Sequence, residues 1–131
     1  MFMDFLLRKC KETDIRVIFE DRLSPDTPSC ASIANRCIVF NTNWHRQTEL
    51  PFQFAHEVAH ILYGDETDLF FYHANFNGHS KIEHQANSGA IRLLLEYLEN
   101  NDIPTSAISN FGIPNSLESL VEEEVERYET E

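Results

Sequence analysis

The sequence predicts an α+β fold, a small antiparallel sheet packed on a helical core, from three observations. Two short β-branched runs, Ile15-Arg16-Val17-Ile18-Phe19 and Arg36-Cys37-Ile38-Val39-Phe40, sit in the first third of the chain. From residue 51 onward the apolar positions recur with a helical period. The strands come first and the helices follow, which is the order of the α+β class.

The elements follow in order. Over residues 2–13 the apolar positions Phe2, Phe5, Leu6 and Cys10 step by three and four, and predict a short helix. The two strands are expected to pair into the sheet, separated by a loop from Asp21 to Ser29 that holds Pro25 and Pro28. Trp44 and His45 are expected to close the end of that sheet. Residues 51–63 form a helix with Pro51 in its first turn, Gly64 at its C′ position, and Phe54, Ala55, Val58, Ile61 and Leu62 as its buried arc. Asp65 to His79 reads as a long turn, in which Leu69-Phe70-Phe71-Tyr72 is apolar enough to cover the core or to form a lid. Ser80 opens a second long helix, with Ile82, Ala86, Ala90, Ile91, Leu93, Leu94, Tyr97 and Leu98 buried. Asn100 to Pro104 ends it, a short helix spans 105–110, and a last one runs from about 116 to 128 after Gly112 and Pro114.

A length of 131 residues corresponds to one domain, 1–131, with an acidic helical part at about 103–131. The chain carries 22 acids against 10 Lys and Arg, a net charge of −12. From Glu96 onward ten acids face the single base Arg127, a net −9, which leaves −3 for the preceding 95 residues. Nucleic-acid binders need a basic footprint to neutralise phosphates, so direct nucleic-acid binding is excluded, and anionic membrane is disfavoured likewise. A basic protein partner is favoured by complementary charge. The start of the chain lacks the apolar run of a signal peptide. No stretch approaches the ~18 uninterrupted apolar residues of a membrane span. Cys10, Cys30 and Cys37 are odd in number and form no C-x-x-C pair, which suits the reducing cytoplasm.

The chemistry concentrates in His56-Glu57-Val58-Ala59-His60. Residues i and i+4 of a helix share a face, so both imidazoles can reach one cation, as zinc binding requires. Glu57 is displaced about 100° around the axis, flanking the cation where a general base would meet a water. A catalytic zinc takes three protein ligands and one open position. The candidates for the third are Asp65, Glu66, Asp68, His73, His79, Glu83 and His84. Glu83 falls in the first turn of the next helix, where it could equally close a capping box with Ser80, and Asn87 is one turn further on the same face.

With Glu83-His84-Gln85-Ala86-Asn87 and Leu93-Leu94 added, the pattern resembles the ImmA/IrrE family of zinc metallopeptidases, most firmly over residues 52–95. The resemblance implies a zincin-like core, one zinc held by His56, His60 and Glu83, and Glu57 as the catalytic base. It also implies a target, since similar proteins of phages and bacteria inactivate helix-turn-helix repressors. Two positions depart from the family pattern: Gly89 stands where Phe is frequent, and Glu96 where a Pro commonly ends the helix.

The expected activity is zinc-dependent endoproteolysis of such a repressor. An extended peptide is expected to lie along an edge of the 15–19/36–40 strand pair. Tyr63, Tyr72, His73 and His79 are candidates for stabilising the oxyanion. The alternative is a non-catalytic anti-repressor with a structural metal. A helix-turn-helix over 105–128 is ruled out by its acidity, since from residue 116 onward one Arg stands among seven acids.

Overall fold

The computed structural model describes residues 1–64 and 76–131, with side chains from residue 81 onward in the second stretch. Helix α1 (Phe2–Glu12) leads to β1 (Arg16–Glu20), β2 (Cys30–Ser32) and β3 (Cys37–Asn41). Then come α2 (Leu50–Tyr63), α3 (Phe76–Asn100) and α4 (Glu118–Thr130), with 3-10 turns at Gln47–Glu49, Thr105–Phe111 and Asn115–Leu117.

Helix α1 ends because Asp14 takes a left-handed conformation (φ 58) and the Ile15 N–H reaches back to the Cys10 carbonyl at 2.8 Å. That six-to-one bond satisfies an orphan carbonyl and turns the chain into β1. The same device ends α3, with Asp102 at φ 55 and Ile103 N–H on the Leu98 carbonyl at 2.9 Å.

The sheet differs from the expected antiparallel pair. β3 is central, β1 runs parallel to it from Arg16↔Cys37 to Glu20↔Asn41, and β2 pairs antiparallel on its other side. The reason lies in residues 21–36. A parallel neighbour needs a crossover of a dozen residues or more, which this segment supplies, and it lays down β2 on the way. With only three residues, β2 is too short to show a period in the sequence.

The core joins one face of the sheet to the helices. Phe40 of β3 meets Phe54 of α2 at a 4.9 Å ring separation. Phe2 and Phe5 of α1 pack on Tyr97 of α3 at 5.4 and 5.7 Å. Phe54, Leu6, Ile38, Ile91, Leu94 and Leu98 are fully buried, and the predicted arcs of α2 and α3 face inward.

Three local expectations change. Helix α3 is already formed at Phe76, so Ser80 lies inside it. Gly64 is extended (φ −89, ψ 175) instead of left-handed, and a Cβ there would stand 2.6 Å from the His60 carbonyl oxygen. The 105–111 stretch is a 3-10 turn. The aromatic run Leu69 to Tyr72 lies outside the described residues.

Both departures from the family pattern have structural answers. A Cβ on Gly89 would meet Tyr63 Cδ2 at 2.6 Å and Ala59 Cβ at 2.9 Å, so the aromatic at this crossing comes from α2. At Glu96 α3 simply continues, and the carboxylate accepts from Lys9 Nζ at 2.8 Å, fastening α3 to α1.

The acidic C-terminal part is held in place. Glu124 is buried, pairs with Arg92 Nε at 3.0 Å and accepts from Arg127 at 3.4 Å. Glu131 pairs with Arg92, Glu123 with Arg127, and Glu129 accepts from Thr105 Oγ. Arg92→Ala strands the Glu124 carboxylate with one long contact and should cost about 1–3 kcal/mol in urea unfolding. Glu122→Gln, at an exposed position, should change stability by less than about 0.5 kcal/mol. Equal effects would show that Arg92 does not hold α4.

Candidate metal centre

Helix α2 carries His56 and His60 one turn apart, and their rings stand 4.7 Å apart, nearly perpendicular (87°). Helix α3 packs along α2 and delivers Glu83 between them. Glu83 Oε2 lies 3.0 Å from His56 Nε2, and Oε1 lies 3.1 Å from His60 Nε2. Among the described residues these three form the one group whose donor atoms lie within 4.8 Å of one another.

Two imidazoles and a carboxylate on half-buried side chains fit a divalent transition metal, zinc above all, and leave a coordination position open. Glu83 lies well inside α3, seven residues from its first described position, so the capping-box reading of Ser80 and Glu83 fails. His84 is exposed and outside the group. Asp65, Glu66, Asp68 and His73, and the side chain of His79, lie outside the described residues.

The surroundings tune the group. Asn87, one turn after Glu83, accepts from His56 Nδ1 at 2.8 Å. That bond places the hydrogen on Nδ1 and turns Nε2 toward the centre, as a metal ligand needs. Burial lowers the His56 pKa, but the Glu83 hydrogen bond and the fields of Glu57 and Glu83 outweigh it, so the net shift is upward. Hydrogen bonds from His56 and then His60 hold the Glu83 carboxyl well below the usual carboxylate range. Glu57 has no such donor among the described residues. Burial pushes its carboxyl up to about 7, against the pull of the two histidines, where a carboxylate can both take and return a proton near neutrality.

The group opens into a cleft of about 600 Å³, within the range of substrate sites. Its floor is α2 and α3; Glu57 lines it beside the histidines. One wall is the 28–31 segment, including β2 residues Cys30 and Ala31. Asn41, fully buried, organises the approach to that wall. Its amide donates to the carbonyls of Ser24 (3.0 Å) and Thr27 (2.6 Å), and its backbone N–H donates to Ser29 Oγ at 2.8 Å.

Trp44, Phe52, Gln53, Pro114 and Leu117 also line it, with Ile33 and Ile82. Trp44 thus lines the cleft, where the sequence suggested only a plug for the sheet. Pro114 and Leu117 arrive through Gly112, whose left-handed backbone (φ 73) lies so close to the Thr48 carbonyl that a Cβ would be 2.0 Å from it. None of these five had a sequence signal, because the cleft joins segments 28–31, 44, 52–60, 82–87 and 114–117 that only the fold brings together. Tyr63 is half exposed and outside the cleft lining, its ring over Gly89, so it does not reach the centre. Tyr72 lies outside the described residues. No described helix is long and apolar enough to cross a membrane.

In comparison with known families, the model described as Peptidase M78, IrrE N-terminal-like domain, matches residues 10–104. The match contains every cleft residue except Pro114 and Leu117. Nothing matches among curated proteins or among solved structures.

Proposed function

Because the chain belongs to the Peptidase M78 family, the ImmA/IrrE family of its sequence resemblance, we propose that it is a zinc-dependent endopeptidase of the cytoplasm that inactivates a helix-turn-helix repressor by cleaving it. The observation that carries this reading is the triangle of His56, His60 and Glu83 with Glu57 beside it on one cleft floor.

His56, His60 and Glu83 would hold the metal, and Asn87 would keep the His56 tautomer. Bound zinc supplies Lewis acidity, making a water acidic near pH ~7 and polarising a carbonyl. Glu57 takes the proton of the attacking water and hands it to the leaving amine. The substrate chain lies extended along β2. β3 is flanked on both sides, and β2 is the edge strand whose residues line the cleft. This replaces the edge of the 15–19/36–40 pair expected from sequence. Glu118, Glu122 and Glu126, exposed and in no ion pair among the described residues, recur every four residues along α4 and would steer a basic target.

The test is incubation with the repressor encoded beside this gene, with and without chelator, read by intact mass. Two fragments that appear only without chelator are expected. An intact repressor that has nevertheless lost its operator would overturn proteolysis and leave a binding anti-repressor.

A further inference from the structure

The metal group occupies one part of the cleft, and the remainder has a different chemistry. Phe52 lies one turn before His56, about 6 Å along the axis of α2 at 1.5 Å per residue. Pro28, Trp44, Pro114 and Leu117 line the same cleft, and with Phe52 they make five carbon-rich side chains without a charge.

We propose that this end of the cleft is a specificity pocket, formed around Trp44, that accepts one large apolar side chain of the protein substrate close to the scissile bond. The inference rests on the metallopeptidase reading and extends it to the substrate's chemistry. An extended chain advances about 3.3 Å per residue, so a group about 6 Å from His56 belongs to a residue one or two positions from the bond cut.

The support of Trp44 fits a recognition surface. Its main chain is fixed, because Gln47 Nε2 donates to the Trp44 carbonyl at 2.6 Å and to the Thr42 carbonyl at 3.1 Å. The His45 ring lies 4.5 Å from the indole and is itself anchored by Nδ1 to the Pro25 carbonyl at 2.9 Å. The indole N–H, by contrast, is buried with no partner among the described residues. With no hydrogen-bond partner among the described residues, the ring is held there by packing, which an entering side chain can shift. Pro114 and Leu117 lie beyond the stretch matched by the family model, so part of this pocket belongs to this chain's own C-terminal segment.

Trp44 is the chain's single tryptophan, and its fluorescence therefore reports this pocket alone. The zinc-loaded protein is titrated with the hydroxamates of N-acetylated glycine, aspartate, leucine and phenylalanine, following fluorescence and calorimetry, with zinc content measured in parallel. The leucine and phenylalanine compounds should bind about 10- to 100-fold more tightly than the glycine compound, and aspartate no more tightly than glycine. The leucine and phenylalanine compounds should both shift the fluorescence more than the glycine compound does. In Trp44→Ala, with zinc still at one per chain, the leucine-to-glycine ratio should fall to within about threefold; Trp44→Phe should keep most of it.

Equal affinity for all four compounds at full zinc occupancy overturns the pocket and leaves the metal reading intact. An unchanged ratio in Trp44→Ala also overturns it. Absence of bound zinc and of all hydroxamate binding overturns the metal reading, and the pocket with it.

Discussion

Glu57→Gln should bind zinc at one per chain and lose about 10²- to 10⁴-fold in repressor cleavage, measured by intact mass over time. The amide keeps the volume of the side chain in its buried position while removing the base. His56, His60 and Glu83 are untouched, so a fall in zinc content would point to a structural role for Glu57. Cleavage at the parental rate would refute Glu57 as the base. If the variant still relieves repression while the repressor stays whole, binding alone is the activity.

Glu83→Ala should have the larger effect on the metal itself. It removes the one carboxylate that spans both imidazoles, at 3.0 and 3.1 Å. Zinc affinity, measured by competition with a chromogenic chelator, should fall by more than the about 10- to 100-fold expected for Asn87→Ala, which takes away only the His56 orienting bond. Both variants should lose cleavage in proportion to bound zinc. A Glu83→Ala protein that retains one zinc per chain and only melts earlier would return this residue to a structural role.

The parts legible in the sequence were those with a local cause. The two histidines and Glu57 sit on one helix, where spacing alone fixes their relation, and the buried arcs of α2 and α3 follow from the same period. Glu83 was ambiguous for a physical reason. Its two readings depend on where α3 begins, and helix boundaries carry only a weak local signal in a sequence. With α3 already formed at Phe76, the cap reading falls away, and Glu83 stands in a group that could hold a metal ion.

The sheet was half legible. Val17 to Phe19 and Ile38 to Phe40 carry β-branched and aromatic signals, but direction is set by the connection, and nothing local in residues 21–36 announces a parallel return. Gly89 and Tyr63 show the same limit in packing, because each is unremarkable until α2 and α3 cross. The acidic segment was legible as charge and misleading as surface. Glu124, inside its densest acidic run, is among the few buried charged residues of the chain.

The free edges of the sheet have a consequence for the protein in solution. Among the described residues no strand pairs with the outer side of β2, and β1 forms the opposite edge with Ile18 and Phe19 exposed at 47% and 53%. Open edges are templates for any passing strand, another copy of the same chain included. Two features oppose such stacking. β2 is only three residues long, and a charge of −12 makes copies repel one another. Charge that reads first as a clue to partners therefore also acts as a colloidal stabiliser, and it vanishes near pH 4.8. The short edges of this sheet depend on that repulsion to stay free of other copies.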